Sequence, residues 1–275
     1  NYLPLAWRSL RKIETIIREE MDGAGGQELR LSVLQPRDLW QDSGRDEEYG
    51  SGMFRLKDRR GRWLALAPTH EEMLTTIVKS NVQSYKDLPL IIYQIQTKFR
   101  DEQRPRGGLL RMREFDMKDA YSFDTDDDSL DKSYSKMVTA YRNIYERIGL
   151  PAIMVEADSG AIGGKDSQEF VLLSESGEDT ILKCDDCGYA ANSEKAIFDR
   201  TSSIPEDKSQ PEEVFTPGVK TILELASSLN VPIQKTMKVV LYMVDSELVI
   251  AAIRGDLDVN EIKLANLLGA TNIRV

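Results

Sequence analysis

Two segments of the chain repeat apolar residues at the three- and four-residue spacing of an amphipathic helix. The first covers residues 9–22 and has Gly23 after it as a C-cap. Its apolar positions are Leu10, Ile13, Ile17 and Met21. The second covers residues 129–148 and ends at Gly149, a residue that favours a helix stop. Its apolar positions are Leu130, Tyr134, Met137, Tyr141, Ile144 and Ile148.

Shorter apolar runs bounded by polar, Gly and Pro residues predict β-strands. They cover residues 27–34, 53–56, 63–66, 91–100, 110–123, 153–156 and 168–173. The second and third runs flank a polar turn and predict a hairpin. The fourth and fifth flank the Arg-, Pro- and Gly-rich segment 101–108 and predict a long antiparallel hairpin. Between these hairpins, Thr69 and Glu72 have the spacing of a capping box, which predicts a helix reaching about Lys79.

The composition shifts at residues 199–213, which read as a mobile connector with few apolar residues. After it, Thr216 before Pro217 predicts an N-cap. Residues 238–244 and 247–254 predict a third hairpin, Asn260 caps a last helix, and residues 270–275 begin a strand. The chain is therefore predicted to have an α+β fold in two domains.

Composition and charge narrow the function classes. The 275 residues carry a net charge of −10, which argues against nucleic-acid binding over the whole surface but allows a local basic site. A single histidine, His70, excludes any metal site that needs two His ligands. No apolar run is long enough for a membrane span, and no signal peptide is expected. Two cysteines, Cys184 and Cys187, fit a reducing cytoplasm, and we expect them to be metal-free because zinc needs four ligands.

The segment 97–118 carries a net charge of +3 inside this acidic chain, which suggests an anion site. If the first strand of the long hairpin continues, Arg100 and Glu102 share a face. Arg111, Arg113 and Phe115 share a face of the next strand by the same argument. Arginines can grip phosphates, a carboxylate can accept from an exocyclic amine, and an aromatic ring can stack on a base, so the set would suit ATP. The alternative is an exposed hairpin with a mixed-charge face.

The same residues resemble motif 2 of the class II aminoacyl-tRNA synthetases. Phe99-Arg100-Asp101-Glu102 and Arg111-Met112-Arg113-Glu114-Phe115 carry that resemblance. Longer runs are similar to the bacterial-type prolyl-tRNA synthetase family. These runs are residues 94–102, 104–106, 117–123, 68–72, 35–40, 176–179 and 189–192. The chain is identified on these motifs as a member of that family.

The resemblance implies a class II synthetase-like antiparallel sheet flanked by helices at residues 1–182. It also implies an incomplete α/β editing domain, inserted at residues 183–275. In the first domain Arg100 would hold the α-phosphate and the proline carboxylate, and Arg111 would reach the γ-phosphate. Glu102 would meet the adenine amino group and Phe115 would stack on the ring.

Proline would lie between Thr69 and Glu71, with Glu71 facing its secondary amine, by the same resemblance. His70, between them, is either catalytic or, more often for a first-turn histidine, merely exposed. In the editing domain Lys238 would bind the tRNA 3′-terminal phosphate and Thr216 would line the pocket. The alternatives are a surface lysine and a plain helix cap.

The implied function is ATP-dependent activation of proline, with Mg²⁺ on the phosphates, and transfer to proline tRNA. Editing would hydrolyse mischarged alanyl-tRNA. The resemblance also implies a cytoplasmic homodimer. Glu169 is a weak candidate Mg²⁺ ligand. Ser32 stands where motif 1 usually has a proline, and no glycine-rich motif 3 occurs, so this chain is not expected to aminoacylate by itself. The alternatives are a non-catalytic synthetase-like binding or regulatory protein and a free-standing deacylase.

Overall fold

The computed structural model describes residues 1–159, 167–197, 210, 212–270 and 272–275. These residues form two compact units, Asn1–Ala152 and Ile153–Val275. The proposed division at residue 182 between a synthetase core and an editing domain stays a prediction. Most of the predicted connector at 199–213 lies outside the described residues. Among the described helices, none combines the length and apolar character needed to cross a membrane.

The first unit has five helices and six strands among its named elements. The helices are α1 Pro4–Gly23, α2 Asp38–Asp42, α3 Arg45–Tyr49, α4 Glu71–Asn81 and α5 Asp127–Ile148. The strands are β1 Gly26–Glu28, β2 Leu34–Pro36, β3 Arg55–Lys57, β4 Trp63–Leu66, β5 Leu90–Phe99 and β6 Glu114–Phe123. They form two sheets, with strand orders β1-β5-β6 and β2-β4-β3.

The pair β5–β6 is the central element of this unit. The two strands run antiparallel in register from Leu90 opposite Phe123 to Phe99 opposite Glu114, as the hairpin prediction required. One face packs on α1 and α5, where Met21, Tyr93 and Ile144 belong to one core cluster. The opposite face meets α4 through a second cluster. Its buried residues are Leu31, Leu74, Val78 and Ile92. The central strand is therefore covered on both sides.

The predicted long helices are confirmed, with adjusted ends. Helix α5 is capped by the Asp126 side chain and ends at Gly149, whose left-handed conformation closes the last turn. Helix α1 begins earlier than predicted, because Pro4 occupies its first turn, where a missing N–H costs nothing. Its cap is Ala24, so the prediction of Gly23 as the C-cap is wrong.

The capping box at Thr69 is also wrong. The N-cap of α4 is His70, and its side chain makes no cap hydrogen bond. Thr69 is buried and hydrogen-bonds the Tyr121 side chain, while the Glu72 carboxylate accepts from Arg45 and Ser43. Because the side chains of Thr69 and Glu72 both bond residues elsewhere in the fold, neither is available to cap α4.

Two strand predictions change at their ends. The predicted strand 27–34 is split into β1 and β2, and at the break the Gln94 and Gln96 side chains satisfy the backbone N–H and C=O of Leu31. Strand β5 ends at Phe99 and β6 begins at Glu114. Arg100, Glu102, Arg111 and Arg113 therefore lie outside the strands, and the prediction that they share strand faces is wrong.

The second unit is built from seven strands and two helices among its described residues. The strands are β7 Ile153–Glu156, β8 Gln168–Val171, β9 Ile181–Lys183, β10 Ala190–Asn192, β11 Met237–Val244 and β12 Glu247–Arg254, with the two-residue β13 Ile273–Arg274 beside them. The helices are α6 Ile222–Leu229 and α7 Glu261–Leu268. The strand orders are β8-β7-β10-β9 and β12-β11-β13.

The predicted hairpin β11–β12 and the Asn260 cap of α7 are confirmed. At the end of β12, the Gly255 N–H donates to the Thr236 carbonyl at 2.8 Å. A Cβ at Gly255 would lie 2.0 Å from Thr236 Oγ1 and 2.9 Å from the Ile233 carbonyl oxygen. Only glycine fits this approach of two backbone segments.

The prediction that Thr216 is an N-cap is wrong. Helix α6 begins at Ile222, and its N-cap is Thr221, which forms a full capping box with Glu224. Gly218, at φ +74°, lies in a turn after Pro217, so the chain leaves helical conformation before α6 can start. A threonine followed by proline is only a local signal, and the reciprocal Thr221–Glu224 bonds satisfy more backbone donors.

Replacing the two threonines separately tests this assignment. Thr221→Ala should destabilise the second unit by about 1 kcal/mol because α6 loses its cap. Thr216→Ala, the matched control, should change stability by less than about 0.5 kcal/mol. Urea unfolding, with amide hydrogen exchange resolved in α6, measures both. A loss in Thr216→Ala with none in Thr221→Ala would return the cap to Thr216.

Candidate active site

One face of the β5–β6 pair carries a row of polar side chains inside the fold. Gln94, Gln96 and Lys98 alternate along β5, and Asp119 and Tyr121 stand on β6. Gln94, Gln96, Lys98 and Asp119 are all buried. Because buried polar groups need partners, this row must be internally hydrogen-bonded.

Lys98 is the centre of the row. Its side chain has no exposed surface, and its Nζ lies 2.8 Å from Asp119 Oδ1 and 2.7 Å from His70 Nδ1. Burial lowers the pKa of Lys98, and the hydrogen bond and charge of Asp119 oppose that shift. A carboxylate beside a buried ammonium is the arrangement that keeps both charges tolerable away from water.

His70 is completely buried, so the expectation of an exposed first-turn histidine is wrong. Its Nε2 lies 3.1 Å from the Ser32 carbonyl oxygen, which can only accept. An ammonium can only donate, so Nδ1 accepts from Lys98 and Nε2 carries the proton. Burial first, and the Lys98 charge second, lower the pKa of His70 and keep the ring neutral.

Tyr121 joins the row to the backbone at the start of α4. Its hydroxyl donates to Asp119 Oδ2 at 2.6 Å and accepts from the His70 N–H at 3.2 Å. Gln94 Nε2 donates to the same Asp119 oxygen at 3.0 Å. Burial and the bond to Asp119 raise the pKa of Tyr121, so the phenol stays protonated. Residues 69–71 are thereby fixed against β6.

The two predicted proline-pocket residues flank His70. Thr69 is buried, whereas the Glu71 side chain is about one-third exposed. Glu71 Oε2 is 3.3 Å from Arg45 Nη1, and the same nitrogen is closer, at 2.9 Å, to Glu72 Oε1. The Arg45 guanidinium also lies over the Trp40 and Tyr49 rings. Glu72 is the stronger partner of Arg45, which leaves Glu71 an accessible carboxylate.

Arg100 follows directly after the end of β5. Its N–H donates to the Arg113 carbonyl at 3.0 Å, and its guanidinium carbon lies 5.5 Å from the Phe115 ring centroid. The charges of Arg100 and Glu71 both act on Lys98, in opposite directions. The structure therefore places Arg100 with Phe115, and both Arg100 and Glu71 within electrostatic range of the buried row.

The other predicted ATP-binding residues lie in the segment between β5 and β6. Glu102 Oε1 accepts from the Arg104 N–H at 3.5 Å, and the Glu102 carbonyl accepts from Arg113 Nε at 3.1 Å. Arg111 is exposed and pairs through its backbone with Arg106. These residues form the rim beyond the Arg100–Phe115 contact.

In the second unit, Lys238 is the second residue of β11. Its Nζ lies 2.6 Å from Asp258 Oδ1, and the Asp258 side chain is 96% exposed whereas that of Lys238 is 25% exposed. The Thr216 carbonyl accepts from the Val219 N–H. Lys238 and Thr216 share no hydrogen bond in the described part of the unit.

No described group of three or more His, Cys, Asp or Glu side chains is arranged to hold a metal ion. Cys184 and Cys187 lie in the turn between β9 and β10, and backbone N–H groups of Cys187 and Asp186 lower the pKa of the Cys184 thiol. Glu169 stands opposite Val155 on an exposed position of β8. The expectation of a metal-free cysteine pair stays a prediction.

Sequence reasoning missed Lys98, Asp119 and Tyr121 as site residues. The available signal was the alternation of Gln94, Gln96 and Lys98 in a strand whose other positions are mostly apolar. Such alternation normally marks a solvent-facing side. Here it marks a second interior face, because α4 and the segment before β2 cover it.

Comparison with known proteins agrees with this architecture. Residues 54–256 match the family described as the tRNA synthetase class II core domain (G, H, P, S and T). That match covers most of the chain, and the chain belongs to this family of class II synthetase cores.

The curated relatives compared with the chain are proline–tRNA ligases. The chain is 55% identical over 275 residues to the proline–tRNA ligase of Dehalococcoides mccartyi, covering 100% of this chain and 48% of the relative. It is 53% identical over 275 residues to that of Syntrophomonas wolfei, covering 99% and 48%. The chain thus spans about half the length of the curated relatives it matches.

Among solved structures, the chain resembles Giardia lamblia prolyl-tRNA synthetase in complex with prolyl-adenylate. The TM-score is 0.53 and the sequence identity is 22%, over 56% of this chain and 32% of that chain. At this identity the similarity concerns the fold alone, and it is consistent with the class II core.

The buried ion pair can be tested with two aspartates of one strand. Asp119→Ala should destabilise the first unit by about 3–5 kcal/mol because Lys98 is left buried and unpaired. Asp116→Ala is the matched control on the other face of β6, where the exposed carboxylate accepts from Thr97 Oγ1. It should cost less than about 0.5 kcal/mol. Urea unfolding of both variants decides, and a mild Asp119→Ala would mean that Lys98 is not charged in the fold.

Proposed function

We propose that this chain is part of a proline–tRNA ligase that activates proline with ATP and transfers it to proline tRNA. The observation that carries the proposal is 52–55% identity to curated proline–tRNA ligases along essentially the whole chain. The Arg100–Phe115 contact and the pocket segment 69–71 supply a geometry suited to that chemistry.

In the first step the proline carboxylate attacks the α-phosphate of ATP and pyrophosphate leaves. The reaction needs alignment and charge stabilisation rather than a covalent intermediate with the protein. Arg100 is proposed to neutralise the α-phosphate and the carboxylate, while Phe115 stacks on adenine and holds the guanidinium from its other side. Glu102 and Arg111 are proposed to meet the adenine amino group and the γ-phosphate. Mg²⁺ enters with ATP as part of the substrate.

The proline side of the pocket is proposed to be Thr69 and Glu71. The Glu71 carboxylate can accept from the secondary ammonium of proline, and it shares the Arg45 guanidinium with Glu72. His70 is neutral and its ring nitrogens are both occupied, which argues against a proton-transfer role. Activation of a preformed carboxylate requires no general base.

Residues 183–275 are proposed to belong to an editing domain that hydrolyses alanyl-tRNA. Alanine is smaller than proline, so a proline pocket excludes it poorly by size, and a second sieve is physically reasonable. Lys238 is proposed to bind the 3′-terminal phosphate, and Thr216 to line the pocket. Asp258 already pairs with Lys238, so a phosphate would have to displace a fully exposed carboxylate.

The complete protein is proposed to act in the cytoplasm as a homodimer. The competing hypothesis is a synthetase-like protein that binds a partner without catalysis. The joint presence of Arg100, Glu102, Arg111 and Phe115 favours the enzyme, because a binding protein needs no ATP grip. Proline-dependent exchange of pyrophosphate into ATP distinguishes the two.

Arg100→Ala should nearly abolish that exchange in the complete protein. Loss of one preorganised charge contact costs roughly 3–4 kcal/mol of transition-state stabilisation, or a rate lower by about 10²–10³. Arg59→Ala, at an exposed arginine in the β3–β4 turn, is the matched control and should retain activity. Exchange by Arg100→Ala within a few-fold of wild type would remove Arg100 from the site.

Lys238→Ala should slow deacylation of premade alanyl-tRNA for proline and leave proline-dependent exchange intact. The substitution removes the amine that would make a charge-assisted contact to the phosphate, and exchange depends on the other unit of the chain. Lys220→Ala is the control for loss of a positive charge on the same unit. Unchanged deacylation would make Lys238 an ordinary surface lysine, and equal loss in both assays would indicate global damage.

A further inference from the structure

The proposed proline-pocket segment, residues 69–71, is anchored to the interior of the first unit by the buried side chain of His70. His70 lies between Thr69 and Glu71, and its ring points into the fold rather than toward the pocket. Three groups bond His70 directly: Lys98 of β5 at Nδ1, the Ser32 carbonyl before β2 at Nε2, and the Tyr121 hydroxyl of β6 at the backbone N–H. Asp119 of β6 in turn pairs with Lys98.

Lys98 and the Ser32 carbonyl together decide which nitrogen of that ring carries the proton. The ammonium of Lys98 can only donate, so it requires a lone pair on Nδ1, and the proton must then stand on Nε2. The Ser32 carbonyl, an acceptor, requires the same proton position. Without Lys98, Nδ1 would have no donor while the Asp119 charge remained, and the charged ring, which donates from both nitrogens, would be favoured.

We propose that Lys98 is a positioning residue: by locking His70 as the Nε2–H tautomer between β5 and Ser32, it holds Thr69 and Glu71 at fixed places beside Arg100. The proposal deepens the proposed function and rests on it for the identity of the pocket's ligand. Lys98 itself touches no substrate in this assignment. Its effect on proline passes through the backbone of residues 69–71.

The sequence offers an unusually clean probe, because His70 is its only histidine. Labelling the chain with ¹⁵N-histidine yields one imidazole spin system, whose nitrogen shifts report the tautomer directly. The wild type should show the Nε2–H tautomer at neutral pH. In Lys98→Met the pKa of His70 should rise, since a neighbouring cation is removed while Asp119 and Glu71 remain.

A buried Asp119 without its partner endangers folding, so the double variant Lys98→Met with Asp119→Asn is made beside the single one. Removing both charges avoids an unpaired buried ion. In the double variant the Nδ1 signal should shift because its donor is lost, while the Ser32 carbonyl keeps the proton on Nε2. Lys118→Met, on the opposite face of β6 against Tyr141, is the control and should leave the histidine signals unchanged. A wild-type Nδ1 signal in the folded double variant overturns the proposal.

Kinetics of the complete protein supply the second readout. Proline-dependent pyrophosphate exchange by the folded double variant should show a KM for proline raised by about tenfold, the size of one lost charge-assisted bond. The KM for ATP should stay near that of the wild type. Unchanged KM for proline overturns the positioning role. Absence of exchange in the wild type would overturn the proposed function instead, and the histidine spectrum would still decide what Lys98 does.

Discussion

The ion pair between Lys98 and Asp119 is the constraint on which the first unit depends. A buried ammonium must have a carboxylate beside it, and a buried carboxylate must have its remaining oxygens satisfied. Lys98 and Asp119 therefore fix the register of β5 against β6, and Tyr121, Gln94 and His70 supply the remaining bonds. A one-residue slip of either strand would turn one charge toward the apolar helices on the other side.

The two faces of this sheet contribute to folding in different ways. The face toward α1 and α5 is an apolar core, and the cluster with Leu74 and Ile92 on the other face adds a second one. The polar row beside that second cluster contributes little net stability and instead specifies position, because hydrogen bonds have direction and apolar contacts have almost none. The proposed substrate-binding residues stand just beyond this face, on the start of α4 and on the segment after β5. The polar row therefore positions these residues, although they do not belong to it.

The sequence predicted the elements whose signals are strong and repeated, such as α5, the β5–β6 hairpin and β11–β12. It failed where a local motif competes with tertiary partners. Thr69 and Thr216 each occupy a position that is typical of a helix cap. Thr69 instead bonds the Tyr121 side chain, and the Thr221–Glu224 capping box, not Thr216, begins α6. Arg100 and Phe115 were found by their motif, but the contact between them was not predicted. The expected strands were too long, because β5 ends at Phe99 and β6 begins at Glu114. The network around Lys98 was not predicted, because alternating polar residues in a strand normally indicate a solvent-exposed face rather than a second buried face.

The absent side chain at Gly255 has a consequence for the history of this protein. The space a Cβ would need is filled by the Thr236 hydroxyl, and the backbone bond from Gly255 to the Thr236 carbonyl ties the two ends of the β11–β12 hairpin. The Ile233 carbonyl oxygen would also lie 2.9 Å from that Cβ, and it is a backbone atom that no substitution removes. Across descendants of a common ancestor we therefore expect glycine to persist at 255 even in lineages that lose the hydroxyl at 236.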